Sequence, residues 1–214
     1  MVPILSTGMA ERLILLTGPV EQTYLPNWLT IVHPDLVIEF ANDPADLVKL
    51  TAGECRSTAL LAFLTNIIVP KAVLDKLDGR AVNIHPGPPS YPGSDAGSWA
   101  LFERAAEFGA TAHRMVEKID AGEIIATELF PMSPDWSLEQ LNEQAYIAAM
   151  TLARRLMPQL VETSIPLPVS AQAWTGRCRT RRDRRQLLET LPTLPLAEQQ
   201  RIRRAFDLSS SELP

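Results

Sequence analysis

The chain is poor in the residues that announce several common chemistries. Its 214 residues include only two cysteines and three histidines. Cys55 and Cys178 lie far apart in unrelated contexts, which argues against a disulfide framework and fits reduced thiols. With His33, His85 and His113 also widely spaced, a zinc site is not expected. No apolar run approaches the roughly 18 residues that a membrane-spanning helix requires. Residues 1–18, MVPILSTGMAERLILLTG, carry no basic stretch before their apolar ones and do not read as a signal peptide. A cytoplasmic location is therefore the expectation. There is no Walker A sequence, no G-x-G-x-x-G and no G-x-S-x-G, which removes the phosphate loops and the serine elbow that those patterns build.

What remains is an ordinary globular composition, 46% hydrophobic and 21% charged. The length suits one full core plus an appendage. The net charge of −5 is unevenly spread. Residues 174–206 hold nine Arg against Asp183, Glu189 and Glu198, a net +6, so the other residues sum to −11. Such a segment either meets an anion or folds back on the acidic body.

RLILLTG (12–18) and DLVIEF (35–40) read as buried strands, and EQTYLPNWLTIV between them is ambiguous because Pro26 interrupts it. Asp43 caps a helix that has Pro44 at its first position. TALLAFLTNIIVP (58–70) starts as an apolar strand and breaks at Thr65-Asn66. A short helix closed by Gly79 leads to the strand RAVNIH. DAGSWALFERAAEFG (95–109) reads as a helix closed by Gly109. The pattern then alternates on both sides of KIDAGE, giving two joined strands. A long helix follows, with a capping box at Ser137 and Gln140 and apolar residues from Leu138 to Leu160 at three- and four-residue steps; Pro158 bends or ends its last turn. Further on, WTGRCRTRRDRRQ reads as basic and irregular, LAEQQRIRRAF as a short amphipathic helix and DLSSSELP as mobile. This order implies an α/β fold with a mostly parallel sheet, divided into a body over 1–170 and a basic extension over 171–214.

Asn83 and His85 stand at the end of one strand and, by alternation, on one face of it. Asp120 lies in the loop between the next two strands. An amide can donate to an oxyanion, an imidazole can carry a proton, and a carboxylate can orient that imidazole and raise its pKa. Each has a bland counterpart: Asn caps turns, a single His is commonly structural, and Asp is a common turn residue. His113 alternates within a strand and can face the same pocket, although a structural part suits it better. His33, before Pro34, is given no role.

The stretch AVNIHPGPPSYPGSDAGSWALFERAAEFGATAHRMVEKIDAGEII resembles the catalytic core of the 10-formyltetrahydrofolate-dependent formyltransferases. Asn-x-His-Pro, Pro-x-Tyr-x-Gly, a helix, GAT-x-H and an x-D-x-G-x-I loop occur in the family's order. The clear resemblance covers about residues 58–165. It implies a Rossmann-like three-layer fold, with an antiparallel strand pair at 110–130. It implies Asn83, His85 and Asp120 as the catalytic residues. It also implies that Thr65, Asn66, Ile67 and Ile68, together with Val116, Glu117, Lys118 and Ile119, form the pocket for the folate pterin. The donor would be 10-formyltetrahydrofolate and the partner a small amine or amino-sugar nucleotide. The phosphate turn that glycinamide ribonucleotide users have after the first strand is absent, and LLTGPVEQTYL stands in its place. A hydrolase, an enzyme acting on charged tRNA through the basic segment, or a folate binder without turnover are the alternatives. The arginines also suit a homodimer contact or a surface packed on the acidic body.

Overall fold

The structure, a computed structural model, describes residues 8–208, so the readings of residues 1–7 and 209–214 fall outside it. Four strands, β1 (Arg12–Leu16), β2 (Val37–Ala41), β3 (Thr58–Phe63) and β4 (Ala81–His85), lie parallel in the order β2-β1-β3-β4. β5 (Glu107–Arg114) and β6 (Ile124–Pro131) continue the sheet antiparallel, as the change of sequence pattern implies. Among the described residues, no helix is long and apolar enough to cross a membrane.

Alternation along each strand builds two cores. Leu13, Leu15, Ala59, Leu61 and Phe63 meet the long helix α6 (Leu138–Val161) on one side of the sheet. Ile14, Leu16, Leu60 and Ala62 meet α3 (Pro44–Leu50) and α4 (Lys71–Leu77) on the other. α6 buries Leu141, Ala145, Ala148, Leu152, Leu156 and Leu160, the stripe read from its spacing. A fully buried leucine contributes about 1.5–3 kcal/mol. Its Ser137–Gln140 capping box is formed, Asp43 caps α3, and Pro158 is carried inside α6, which runs on to Val161. Pro26 divides the ambiguous segment into α1 (Pro19–Tyr24) and α2 (Asn27–Val32).

Arg80 joins the layers. Its guanidinium is almost fully buried and donates to the carbonyls of Arg56, Thr58, Leu160 and Thr163 at 2.8–3.4 Å. It thereby ties the start of β3 to the C-terminal end of α6 and satisfies carbonyls that a helix end leaves open.

Two expectations require correction. The helix read over 95–109 is α5 (Ala96–Glu103), and it stops at Arg104, which adopts the left-handed conformation with φ 56°. Gly109 is not its cap; it lies inside β5, where a Cβ would stand 2.1 Å from the Glu128 carbonyl oxygen. The arginine-rich stretch read as irregular contains α7 (Arg181–Thr190), opened by a capping box between Thr180 and Asp183. α8 (Leu196–Phe206) follows, and Ile202, Ala205 and Phe206 pack with Leu191 on Trp99 of α5.

Candidate active site

Val82 and Ile84 point into the α6 core, so Asn83 and His85 share the opposite face of β4. β5 pairs with that strand so that Asn83 lies opposite His113 and His85 opposite Thr111. Ala110 and Ala112 face α6, which turns His113 to the Asn83 side. Asp120 arrives from the β5–β6 connection in a left-handed conformation, φ 43°, uncommon for a residue with a side chain.

These four residues form one cluster, in which His85, His113 and Asp120 are buried and Asn83 is partly exposed. The Asp120 carboxylate bridges the two imidazoles: Oδ2 lies 3.3 Å from His85 Nδ1 and Oδ1 lies 3.2 Å from His113 Nε2. Oδ2 also accepts the Gly93 N–H at 2.7 Å. The second nitrogen of each ring faces a backbone carbonyl, His85 Nε2 that of Tyr91 at 2.8 Å and His113 Nδ1 that of Arg114 at 3.0 Å. Asn83 Nδ2 stands 3.0 Å from His113 Nε2. A Cβ at Gly87 would come within 2.5 Å of His85 Nε2, so the ring needs glycine there.

Carbonyls only accept, so His85 Nε2 and His113 Nδ1 each carry a proton. The state of the other nitrogen is then contested. Burial pushes the His85 pKa below the usual imidazole value, while the Asp120 charge pulls it back up. Asp120 is raised by burial, but its bonds to His113 and Gly93 and the nearby His85 outweigh that and hold its carboxyl below the ordinary value. The carboxylate is thus ionised at neutral pH and favours a proton on His85 Nδ1, but desolvation outweighs it and the resting ring leans to the neutral form. On the neighbouring ring, Nε2 either accepts from Asn83 or, when protonated, donates to Asp120. The cluster can hold a proton, release it, and present an amide N–H beside it.

The cluster faces a cleft of about 1430 Å³. Thr65, Asn66, Ile67, Ile68, Val116, Glu117, Lys118 and Ile119 all line it. Thr65 Oγ1 accepts the Ile67 N–H at 3.1 Å and shapes the turn after β3. Ile68, Val116 and Ile119 are exposed, which makes this part of the rim apolar. Arg181, Arg184 and Arg185 of α7 line the cleft as well. Arg184 lies 3.8 Å from Asp95. Among the described residues, Arg181 and Arg185 have no ion-pair partner.

The sequence reading placed Asn83, His85 and Asp120 in one site, and the structure brings them together. It also brings in His113, for which a structural part suits better from sequence, and the α7 arginines, whose segment is expected either to meet an anion or to fold back on the acidic body. For His113 the usable signal was its alternation on the face that carries Thr111.

The formyl transferase family profile matches residues 44–155, just over half of the chain. A curated methionyl-tRNA formyltransferase from Pediococcus pentosaceus is 26% identical over 158 residues, 73% of this chain and 48% of the relative. The chain spans about half the length of the curated relatives it matches. Among solved structures, a sugar N-formyltransferase from Shewanella sp. superposes with a TM-score of 0.66 at 19% identity, covering 94% of this chain and 89% of that one. The formyltransferase PseJ from Anoxybacillus kamchatkensis, solved with UDP-4,6-dideoxy-4-formamido-L-AltNAc and tetrahydrofolate, gives 0.65 at 17% identity, covering 91% and 97%.

Proposed function

The chain belongs to the formyl transferase family, and from that premise we propose that it moves a formyl group from 10-formyltetrahydrofolate to the primary amine of a small, phosphate-bearing acceptor. The observation that carries this reading is that the Asn83–His85–Asp120 cluster shares one cleft with two unlike groups of residues. The turn at 65–68 and the loop 116–119, with Ile68, Val116 and Ile119 exposed, suit the reduced pterin ring of the donor. The unpaired Arg181 and Arg185, with Arg184, suit an anion such as a diphosphate. The sugar nucleotide and tetrahydrofolate seen together in the Anoxybacillus protein support the same division.

In this reading the acceptor nitrogen attacks the formyl carbon. A C–N bond forms and the carbonyl oxygen becomes an oxyanion. The Asn83 amide donates to it, and the positive charge that His85 gains when protonated stabilises it further. The Asp120 carboxylate favours the protonated form of His85 against burial and receives the proton that the attacking amine sheds. That proton passes to N10 as the C–N10 bond breaks, leaving a formamide and tetrahydrofolate. Positioning and preorganised donors provide the acceleration.

The test is to supply 10-formyltetrahydrofolate with a panel of amino-sugar nucleotides, free amines and charged tRNA. Tetrahydrofolate should form in step with a formylated sugar nucleotide, and Asn83→Ala should cut kcat by about 10²–10³. Formate release without amine would make the protein a hydrolase. Formylation of the tRNA alone would replace the acceptor class. Neither release nor transfer, with folate still bound, would end the enzymatic reading.

A further inference from the structure

The C-terminal segment that follows β6 and α6 returns to the cluster from behind. Trp174 is half-buried, and its ring meets His113 edge-on at 5.2 Å and His85 at 5.9 Å between centroids. Its Nε1 donates to the Gly122 carbonyl at 2.8 Å, in the loop that delivers Asp120. The residues after it bond to the proline loop instead. Thr175 N–H donates to Pro89 O at 3.0 Å and Arg179 N–H to Pro92 O at 2.9 Å, while Ser94 N–H donates to Arg179 O at 2.8 Å. A Cβ on Gly176 would stand 1.7 Å from the Ser90 carbonyl, so the two backbones touch. Arg179 lies over the Trp99 ring at 4.2 Å and pairs with Glu103 at 2.6 Å, anchoring the far end on α5.

The two loops joined in this way hold the second partners of the cluster. Tyr91 supplies the carbonyl on His85 Nε2 and Gly93 the N–H on Asp120. We infer that residues 174–179 are a strap that completes the site, fixing the proline loop, and that Trp174 is a positioning residue which fixes the loop carrying Asp120 and keeps water from the His85–Asp120–His113 array. The segment thus has a task apart from contacting an acceptor. The kinetic part of this inference rests on the formyl-transfer reading; the structural part does not.

The charged and titratable groups around His85 are Asp120 and His113, with Lys118 from the loop and Cys178 from the strap beside Asp120. Burial is what pushes His85 below its usual value. Opening the strap therefore moves its titration upward, toward that of an ordinary imidazole.

The experiment records the ring proton resonances of the three histidines against pH in the full chain and in Trp174→Ala, Trp174→Phe and Gly176→Ala. His85 should titrate higher in Trp174→Ala and Gly176→Ala. In Trp174→Phe, which keeps a ring but loses the bond to Gly122, it should fall between. An unchanged His85 titration in folded Trp174→Ala would overturn the inference. If that variant does not fold, unchanged titrations in both of the others would do so. In turnover, Trp174→Ala should lose about 10²-fold in kcat with KM little changed. Shifted titrations in a protein that transfers no formyl group leave the strap standing and sink the function. Formyl transfer with unmoved titrations does the opposite.

Discussion

Replacing Asp120 by Asn isolates the charge between the two imidazoles while keeping the size of the side chain. At 3.3 Å from His85 Nδ1, and with an effective dielectric of about 20, the carboxylate stabilises a protonated ring by about 5 kcal/mol. That corresponds to more than three powers of ten in the protonated fraction. Burial already works against the charged ring, so the variant should hold His85 neutral. If the oxyanion depends on that proton, kcat falls by about 10³ with the acceptor KM near that of the parent. The assay is steady-state loss of 10-formyltetrahydrofolate at saturating acceptor. A variant within tenfold of the parent would refute the argument that turnover draws on a protonated His85 favoured by Asp120. Stability provides a second check. The Asp120 pKa is depressed in the folded state, so its contribution is complete above the unfolded value of about 3.9 and is lost as pH falls through the folded value. Denaturation curves of parent and variant should therefore differ at neutral pH and draw together in acid.

The remaining expectations concern the scaffold. Arg80→Met removes the donor to four carbonyls and should lower the unfolding free energy by at least about 3 kcal/mol in urea titrations; a loss below 1 kcal/mol, roughly the value of one ordinary hydrogen bond, would show that water replaces it. Gly109→Val places a side chain against Glu128 O in the β5–β6 pair, and amide exchange should quicken along both strands; protection equal to the parent would contradict the packing described.

The strands, the long helix and the parallel-to-antiparallel seam were legible because each is written in a local period: continuous apolar runs, alternation, and three- and four-residue steps. The end of α5 was not, because Arg104 takes the left-handed turn usually left to glycine, while Gly109 is required by a neighbouring strand. α7 was obscured by its arginines, although Thr180 and Asp183 stand at capping-box spacing in the sequence. Asn83 and His85 were found because strand alternation is local. The proximity of His113 to Asp120 depends on one left-handed residue, and that of Trp174 on a chain path that no short window contains.

The strap also has a consequence in time. Trp174 lies 52 residues beyond Gly122, and Arg179 lies 76 beyond Glu103. The sheet through β6 can pair before either partner has been synthesised, but the array around His85 cannot close. Contacts this distant in sequence close late, since the loop entropy must be met before they form. An emerging or clipped chain would thus carry every residue of the Asn83–His85–Asp120 set without the enclosure that sets its protonation, and competence would arrive with residues 174–179.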